Sequence, residues 1–271
     1  PTPTPVGAAA LELGLEPERI ASVNDPAYQE SLKLRRPDLI LVVSFGQILR
    51  APLLALPPKG CVNIHASLLP RYRGASPITQ CILNRDAETG VCFMAMERGL
   101  DTGAVYETIT VPLDHSEYAS ELEFKLGSIA AEAAPGILGS ICSGELVPVP
   151  QDSVEATVCT KIRKADGLIR WTGSAHEIEA MVRAYCPWPG AFASVRTPKG
   201  VESVTLIRVN CRRELSGRPG QVLRADKYGL VVACGKGAIE ILELAPPGRR
   251  SMSAVAYLNG LRGEIPEFLP Q

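Results

Sequence analysis

An α/β domain followed by a small β-barrel is predicted by three observations. The first half of the chain alternates helix-like and strand-like segments, whereas the second half strings short strand-like segments between Gly, Pro, Asn and Asp. Between them runs Val147-Pro-Val-Pro-Gln-Asp-Ser153, a polar, proline-containing connector. At 271 residues the chain is long for one hydrophobic core and sufficient for two. The boundary is therefore placed to give domains 1–150 and 151–271.

Residues 8–15 and 26–36 carry a helical pattern, and 38–43 is a short apolar run that reads as a buried strand. A short helix over 48–56 and a strand over 60–65 follow. Two continuous apolar strands separated by a helix suggest a parallel sheet covered on both faces. Residues 76–84 read as a helix, 91–96 and 105–111 as strands, and 116–142 as a long helix ended by Ser143-Gly144. Past the connector, one helix (174–184) precedes strands at 192–196, 201–208, 220–224, 230–233 and 238–244. Short strands with frequent turns suggest an OB-like barrel, a common nucleic-acid platform.

Composition narrows the class. Hydrophobic residues make up 46% and aromatic residues 5%, which fits a globular chain and excludes a disordered one. The longest apolar runs, such as Leu39 to Val43, are far too short to cross a bilayer, and no signal peptide opens the chain. The eight cysteines are scattered, without a CxxC pair or a His at zinc-ligand spacing. They read as reduced, mostly buried residues of a cytoplasmic protein that needs no metal. Residues 1–150 hold 11 Lys and Arg against 17 Asp and Glu, a balance of −6; residues 151–271 hold 17 against 12, a balance of +5. A basic second half points to a polyanionic partner, with a solvated surface as the plainer reading.

The chemistry concentrates in Cys61-Val-Asn-Ile-His-Ala-Ser-Leu-Leu-Pro-Arg-Tyr-Arg-Gly74 and Gly99-Leu-Asp-Thr-Gly103. Asn63 and His65 stand two apart at a strand end, so both side chains share one face. Asp101 lies in a tight loop flanked by Gly99 and Gly103. Amide, imidazole and carboxylate together can stabilise an oxyanion, move a proton and hold the imidazole in one tautomer. Taken singly, each has a structural reading: a satisfied core His, a strand-end amide, a turn carboxylate. His115 and His176 have no such neighbours and read as surface residues. Cys186-Pro-Trp-Pro-Gly190 reads either as a stacking surface for nucleic acid or, more simply, as a Pro-stiffened corner packing Trp188 into the barrel.

NIH and SLLPRYRG with the later ERGLDTG resemble the formyltransferase family that uses 10-formyltetrahydrofolate. Five blocks occur in family order, the second of which carries ERGLDTG: LRRPDLILVVSFGQIL at 34–49, RDAETGVCFMAMERGLDTGAVY at 85–106, KIRKADGLIRW at 161–171, AYCPWPGAF at 184–192 and GRRSMSAVAYL at 248–258. Within the family the likeness is to the enzymes that act on methionyl-tRNA. It implies a partial Rossmann-like catalytic domain ahead of the barrel, and a formyl transfer that begins translation. Asn63, His65 and Asp101 are the implied catalytic residues. Ser67, Leu68, Leu69 and Pro70, with Phe45, Gly46, Gln47, Ile48 and Leu49, are the implied folate-binding residues, because Phe45 to Leu49 follow a strand's C-terminal end. Lys161, Arg163, Lys164, Arg249 and Arg250 are the expected phosphate contacts of initiator methionyl-tRNA. Arg71 and Arg73 could hold a loop or meet phosphate. Family members open with a strand, a glycine-containing loop and a helix, so the resemblance also implies such a unit ahead of residue 1. A monomer off the membrane is expected. The rival acceptor is an amino-sugar nucleotide formylated from the same folate; a non-catalytic RNA-binding protein and a formate-releasing hydrolase are further alternatives.

Overall fold

The computed structural model describes residues 4–198 and 200–269. Its first part comprises α1 (Pro5–Glu12), α2 (Pro26–Arg35), β1 (Ile40–Val43), α3 (Ala51–Leu54), β2 (Cys61–His65), β3 (Arg73–Gly74), α4 (Pro77–Leu83), β4 (Glu88–Ala95), β5 (Val105–Pro112) and α5 (Ala119–Ser143). The helices start where caps allow. Thr4 accepts from Gly7 N ahead of Pro5, which pulls α1 forward of the expected 8–15, and Asp25 accepts from Tyr28 N ahead of Pro26. α5 stops at Gly144, whose φ of 84° suits a left-handed terminator.

Four strands form one sheet in the order β1-β2-β4-β5. Only β1 and β2 are parallel; β2 to β4 and β4 to β5 are antiparallel, so the expected parallel sheet is in fact mixed. The loop 96–104 between β4 and β5 is too short for the crossover that parallel neighbours require. One face packs on helices, joining Val62, Val91 and Phe93 to Cys81 and Ile82 of α4 and Leu122 and Leu126 of α5. The odd-numbered positions of β2 therefore look the other way.

Among the described residues α5 is the one helix long and apolar enough, by length and composition, to cross a membrane. It is not one of the continuous apolar runs of the sequence. The apolar content of α5 is spread among Ala, Gly and Ile and interrupted by Glu121, Glu123, Lys125 and Glu132, so no single run reveals it.

Two 3-10 turns (Ser153–Glu155 and Lys164–Gly167) flank β6 (Val158–Cys159), which pairs in parallel with β3. Beyond come α6 (Ala175–Ala184), β7 (Ala191–Thr197), β8 (Gly200–Arg212), β9 (Val222–Asp226), β10 (Gly229–Ala233), β11 (Ala238–Ala245), β12 (Met252–Ser253), α7 (Ala254–Gly260) and β13 (Glu267–Phe268). Six of these strands run in the order β13-β7-β8-β11-β10-β9, with β12 on β11, and all pairings are antiparallel. Register shifts between Ile241 and Leu244 bend β11, as barrel corners require. The sheet curls until its ends nearly meet: a Cβ on Gly220, just before β9, would stand 2.9 Å from Phe268 O. The barrel core gathers Trp171, Ile178, Val204, Leu206, Leu230, Ile239, Leu244 and Phe268. α6 plugs it under a Ser174–Glu177 capping box.

The two parts touch through α4 and α6. Arg183 is buried and satisfied: it pairs with Glu179 and donates Nη1 to Glu117 O at 3.1 Å. Glu179 also meets Arg85 at 3.4 Å, and Tyr118 donates its hydroxyl to Ile207 O at 3.1 Å.

Phe268 closes the barrel from a two-residue strand, with its ring edge-to-face on Trp171 at 5.2 Å. Phe268→Ala is expected to cost about 3–5 kcal/mol, the range for deleting a buried ring. Urea unfolding followed by Trp171 fluorescence in a Trp188→Phe background checks this; an unshifted midpoint would contradict the closure.

Candidate active site

β2 presents Asn63 and His65 on the face away from α4 and α5, next to Met94 and Cys92 of β4. His65 is 6% exposed, and its Nε2 lies 2.9 Å from the carbonyl oxygen of Tyr72. A carbonyl only accepts, so Nε2 carries the hydrogen and Nδ1 is the nitrogen left for proton work. Nδ1 stands 3.8 Å from Asp101 Oδ2, a separation at which charge attraction operates but a direct hydrogen bond does not. Tyr72 has φ 60°, which turns its carbonyl toward the ring. Its hydroxyl donates to Asp86 Oδ2 at 2.6 Å and accepts from Asn84 Nδ2 at 2.8 Å and Arg71 Nη2 at 2.9 Å. Burial, then the hydrogen bond to Asp86, push the Tyr72 phenol up, so it stays a donor.

Asp101 takes φ 52° inside the turn that follows β4. Gly103 is required there, because a Cβ on it would fall 1.8 Å from Ala95 O. Asp101 Oδ2 accepts the backbone N–H of Gly74 at 2.8 Å. Gly74 is just as constrained: at φ 117° it runs against β6, where a Cβ would lie 2.2 Å from Cys159 O. β6 brings the connector back onto the site. Arg73 N donates to Thr157 O at 2.9 Å, and Tyr72 N to Thr157 Oγ1 at 2.8 Å. Residues 151–160, placed by the sequence in the second domain, thus remain bonded to the first.

Two site residues escaped the sequence reading. Gln151 and Thr157 both support the loop or turn around His65 and Asp101, and neither stands in a recognisable spacing. The structure also separates the two loop arginines. Arg71 pairs with Asp86 at 2.9 Å at the surface, while Arg73 is 8% exposed and bonds Gln151.

The expected folate residues divide. The loop 44–49 leaves β1 at the end of the sheet where His65 leaves β2, since Val43 pairs with Ile64 in parallel register. Phe45 and Ile48 are exposed there. Gln47 instead anchors residues 21–23, accepting from Val23 N at 3.0 Å, and Leu49 is core beside Val42 and Leu53. Ser67, expected to face the folate, is fully buried and donates to Arg71 O at 2.6 Å, so it braces the turn. Leu69 and Pro70 line an open groove of about 360 Å³ with Tyr106, Thr108, Val149 and Gln151.

Lys161, Arg163, Lys164, Arg249 and Arg250 are all exposed. Lys161 and Arg163 border a polar cavity of about 160 Å³ with Thr79, Gln80 and Tyr185. Trp188 is 59% exposed, which corrects the corner-packing expectation; Trp171 fills the barrel instead. His176 is not a plain surface residue either. Its Nδ1 faces Arg85 at 3.3 Å and Cys211 at 3.5 Å, and burial, then Arg85, lower its pKa. All eight cysteines are free, and five are buried. Burial pushes the Cys61 and Cys81 thiols up to about 11 and Cys234 to about 12. Among the described residues no group of three or more His, Cys, Asp or Glu could hold a metal ion.

A formyl transferase family model matches residues 6–138, and one for the formyl transferase C-terminal domain matches 161–262. A methionyl-tRNA formyltransferase of Geobacter sulfurreducens is 38% identical over 262 residues, 97% of this chain and 81% of the relative. In fold, the chain is similar to HypX from Aquifex aeolicus in complex with tetrahydrofolic acid, with a TM-score of 0.65 and 19% identity over 88% of this chain and 41% of that one. It is also similar to WlaRD, a sugar 3N-formyl transferase, with a TM-score of 0.62 and 17% identity over 89% and 81%. Likeness at those identities is a likeness of fold. The relative at 38% identity spans both domains and nearly the whole of this chain, and on that ground the chain belongs to the methionyl-tRNA formyltransferase family.

Proposed function

We propose that this chain transfers the formyl group of 10-formyltetrahydrofolate to the α-amine of methionyl-tRNA, with Asn63, His65 and Asp101 as its catalytic residues. The observation that carries the reading is the convergence of the three. His65 Nδ1 faces Asp101 Oδ2 across 3.8 Å, on the strand face that also presents Asn63. The neutral amine adds its lone pair to the formyl carbon, and the carbonyl π pair moves to oxygen. Asn63 and protonated His65 hold that oxyanion. The amine proton passes to the Asp101 carboxylate, the bond from the formyl carbon to the folate nitrogen breaks, and that nitrogen leaves with a proton from the same network. One donor aimed at such an oxyanion lowers the barrier by about 2.7–4 kcal/mol.

The folate is walled by Phe45, Gly46, Ile48 and Leu68 to Pro70, while Gln47, Leu49 and Ser67 hold those walls in place. Residues 1–150 carry the chemistry, and 151–271 present the tRNA-binding surface, led by Lys161, Arg163, Lys164, Arg249 and Arg250. Exposed cations in a half with a +5 balance support this division. The protein works as a cytoplasmic monomer in translation initiation. Buried thiols suit a reducing compartment.

Labelled formyl donor offered with charged initiator tRNA and with amino-sugar nucleotides tests the acceptor; transfer to the sugar amine alone would overturn the reading. Asn63→Ala is expected to lower turnover about 10²–10³-fold. His65→Ala should cost at least as much, with folate affinity little changed in both variants. Steady-state kinetics with parallel folate titration check this, and near-normal turnover of His65→Ala would sink the site assignment.

Replacing Lys161, Arg163 and Lys164 together by Ala should weaken tRNA binding and flatten the dependence of log K on log salt by up to about 3, near one per lost phosphate contact. Filter binding across a salt series reads the slope. An unchanged slope would remove these residues from the tRNA surface.

A further inference from the structure

Gln151 lies in the connector that follows the first sheet, and its side-chain amide is fully used. Nε2 donates to the carbonyls of Asp101 at 2.9 Å and Gly103 at 2.7 Å. Oε1 accepts from Nε of Arg73 at 3.0 Å and Nη2 of Arg73 at 2.8 Å. Arg73 is 8% exposed, and Gly74 beside it donates its N–H to Asp101 Oδ2 at 2.8 Å. The Arg73-Gly74 strand therefore grips the 99–103 loop at two points, directly at the carboxylate and through Gln151 at the backbone.

We propose that Gln151, held by Arg73, is a positioning residue that sets Asp101 against His65. The proposal rests on the reading of Asp101 as a catalytic carboxylate. Asp101 sits at φ 52°, a conformation a non-glycine residue keeps only where its surroundings over-determine it. Fixing the carbonyls of Asp101 and Gly103 removes the loop's freedom to swing the carboxylate from Nδ1. The chemistry also requires an amide at 151. A carboxylate there would satisfy the buried Arg73, but it would have no donor for two carbonyls and would set a second negative charge beside Asp101.

Gln151→Glu separates the positioning role from folding, because Arg73 keeps its partner. The experiment uses the whole chain and compares wild type, Q151E, D101N and the double variant in formyl transfer to methionyl-tRNA. Thermal unfolding and folate titration run in parallel. Q151E is expected to unfold within a few degrees of wild type and to bind folate within about threefold. Its kcat should fall about 10–10²-fold, the loss that a displacement of about 1 Å brings. Its pH–kcat limbs should move, because the group paired with His65 has moved; a purely structural residue would lower the profile without shifting it. In the D101N background Q151E should cost nothing further. A kcat within twofold of wild type, unmoved limbs, or the same factor lost again in D101N would overturn the proposal. Wild-type turnover in D101N alone would instead overturn the catalytic reading on which it rests.

Discussion

The bond from His65 Nε2–H to the Tyr72 carbonyl is the constraint on which the rest of the site depends. It commits one ring nitrogen to the backbone, so that only Nδ1 remains to exchange a proton, and it aims Nδ1 at Asp101. The bond requires Tyr72 at positive φ, and that conformation is held from both sides. Thr157 accepts the Tyr72 N–H, and Asp86, Asn84 and Arg71 surround its hydroxyl. Mutually supporting polar bonds of this kind lock one geometry in a poorly solvated setting, where each partner would be costly to leave unmet.

A second consequence is that the site draws on residues distant in sequence. β2 supplies the imidazole, the loop after β4 supplies the carboxylate, and the connector returns through β6 to hold the strand at Arg73-Gly74. The glycines at 74 and 103 allow backbones to approach where any Cβ would collide. The buried Arg183, with Glu179 and Arg85, fixes α6 on α4, so the barrel and its exposed cations keep a set orientation toward this centre. Coupling of this sort suits an enzyme that must bring the end of a large acceptor to a small folate.

Local rules made a good part of this legible. The two-residue spacing of Asn63 and His65 predicts a common face, and the register of β2 against β4 puts them there. Most strands and helices lie near their expected positions because hydrophobic period and turn residues act within a few residues of each other. Pairing partners do not. The mixed sheet depends on which neighbour β4 finds, and the two-residue strands β3, β6, β12 and β13 are too short to carry any pattern. Trp188 and Trp171 look alike as apolar residues near turns, yet one is exposed and the other fills the barrel. Ser67 likewise sits in a motif that suggests ligand contact, and its hydroxyl is spent inside the turn.

By itself the sequence determined the order of the elements, the two kinds of core, the charge contrast between the halves and the residue types able to stabilise an oxyanion and move a proton. These follow from periodicity, composition and the chemistry of single side chains. Only the tertiary structure decided that Nδ1 is the free nitrogen of His65, that Arg73 is buried while Arg71 is not, and that Gln151 reaches back to the Asp101 loop. The reason is physical: a hydrogen bond between residues 50 positions apart leaves no trace in the local pattern of either, and it exists only once the intervening chain has folded around it.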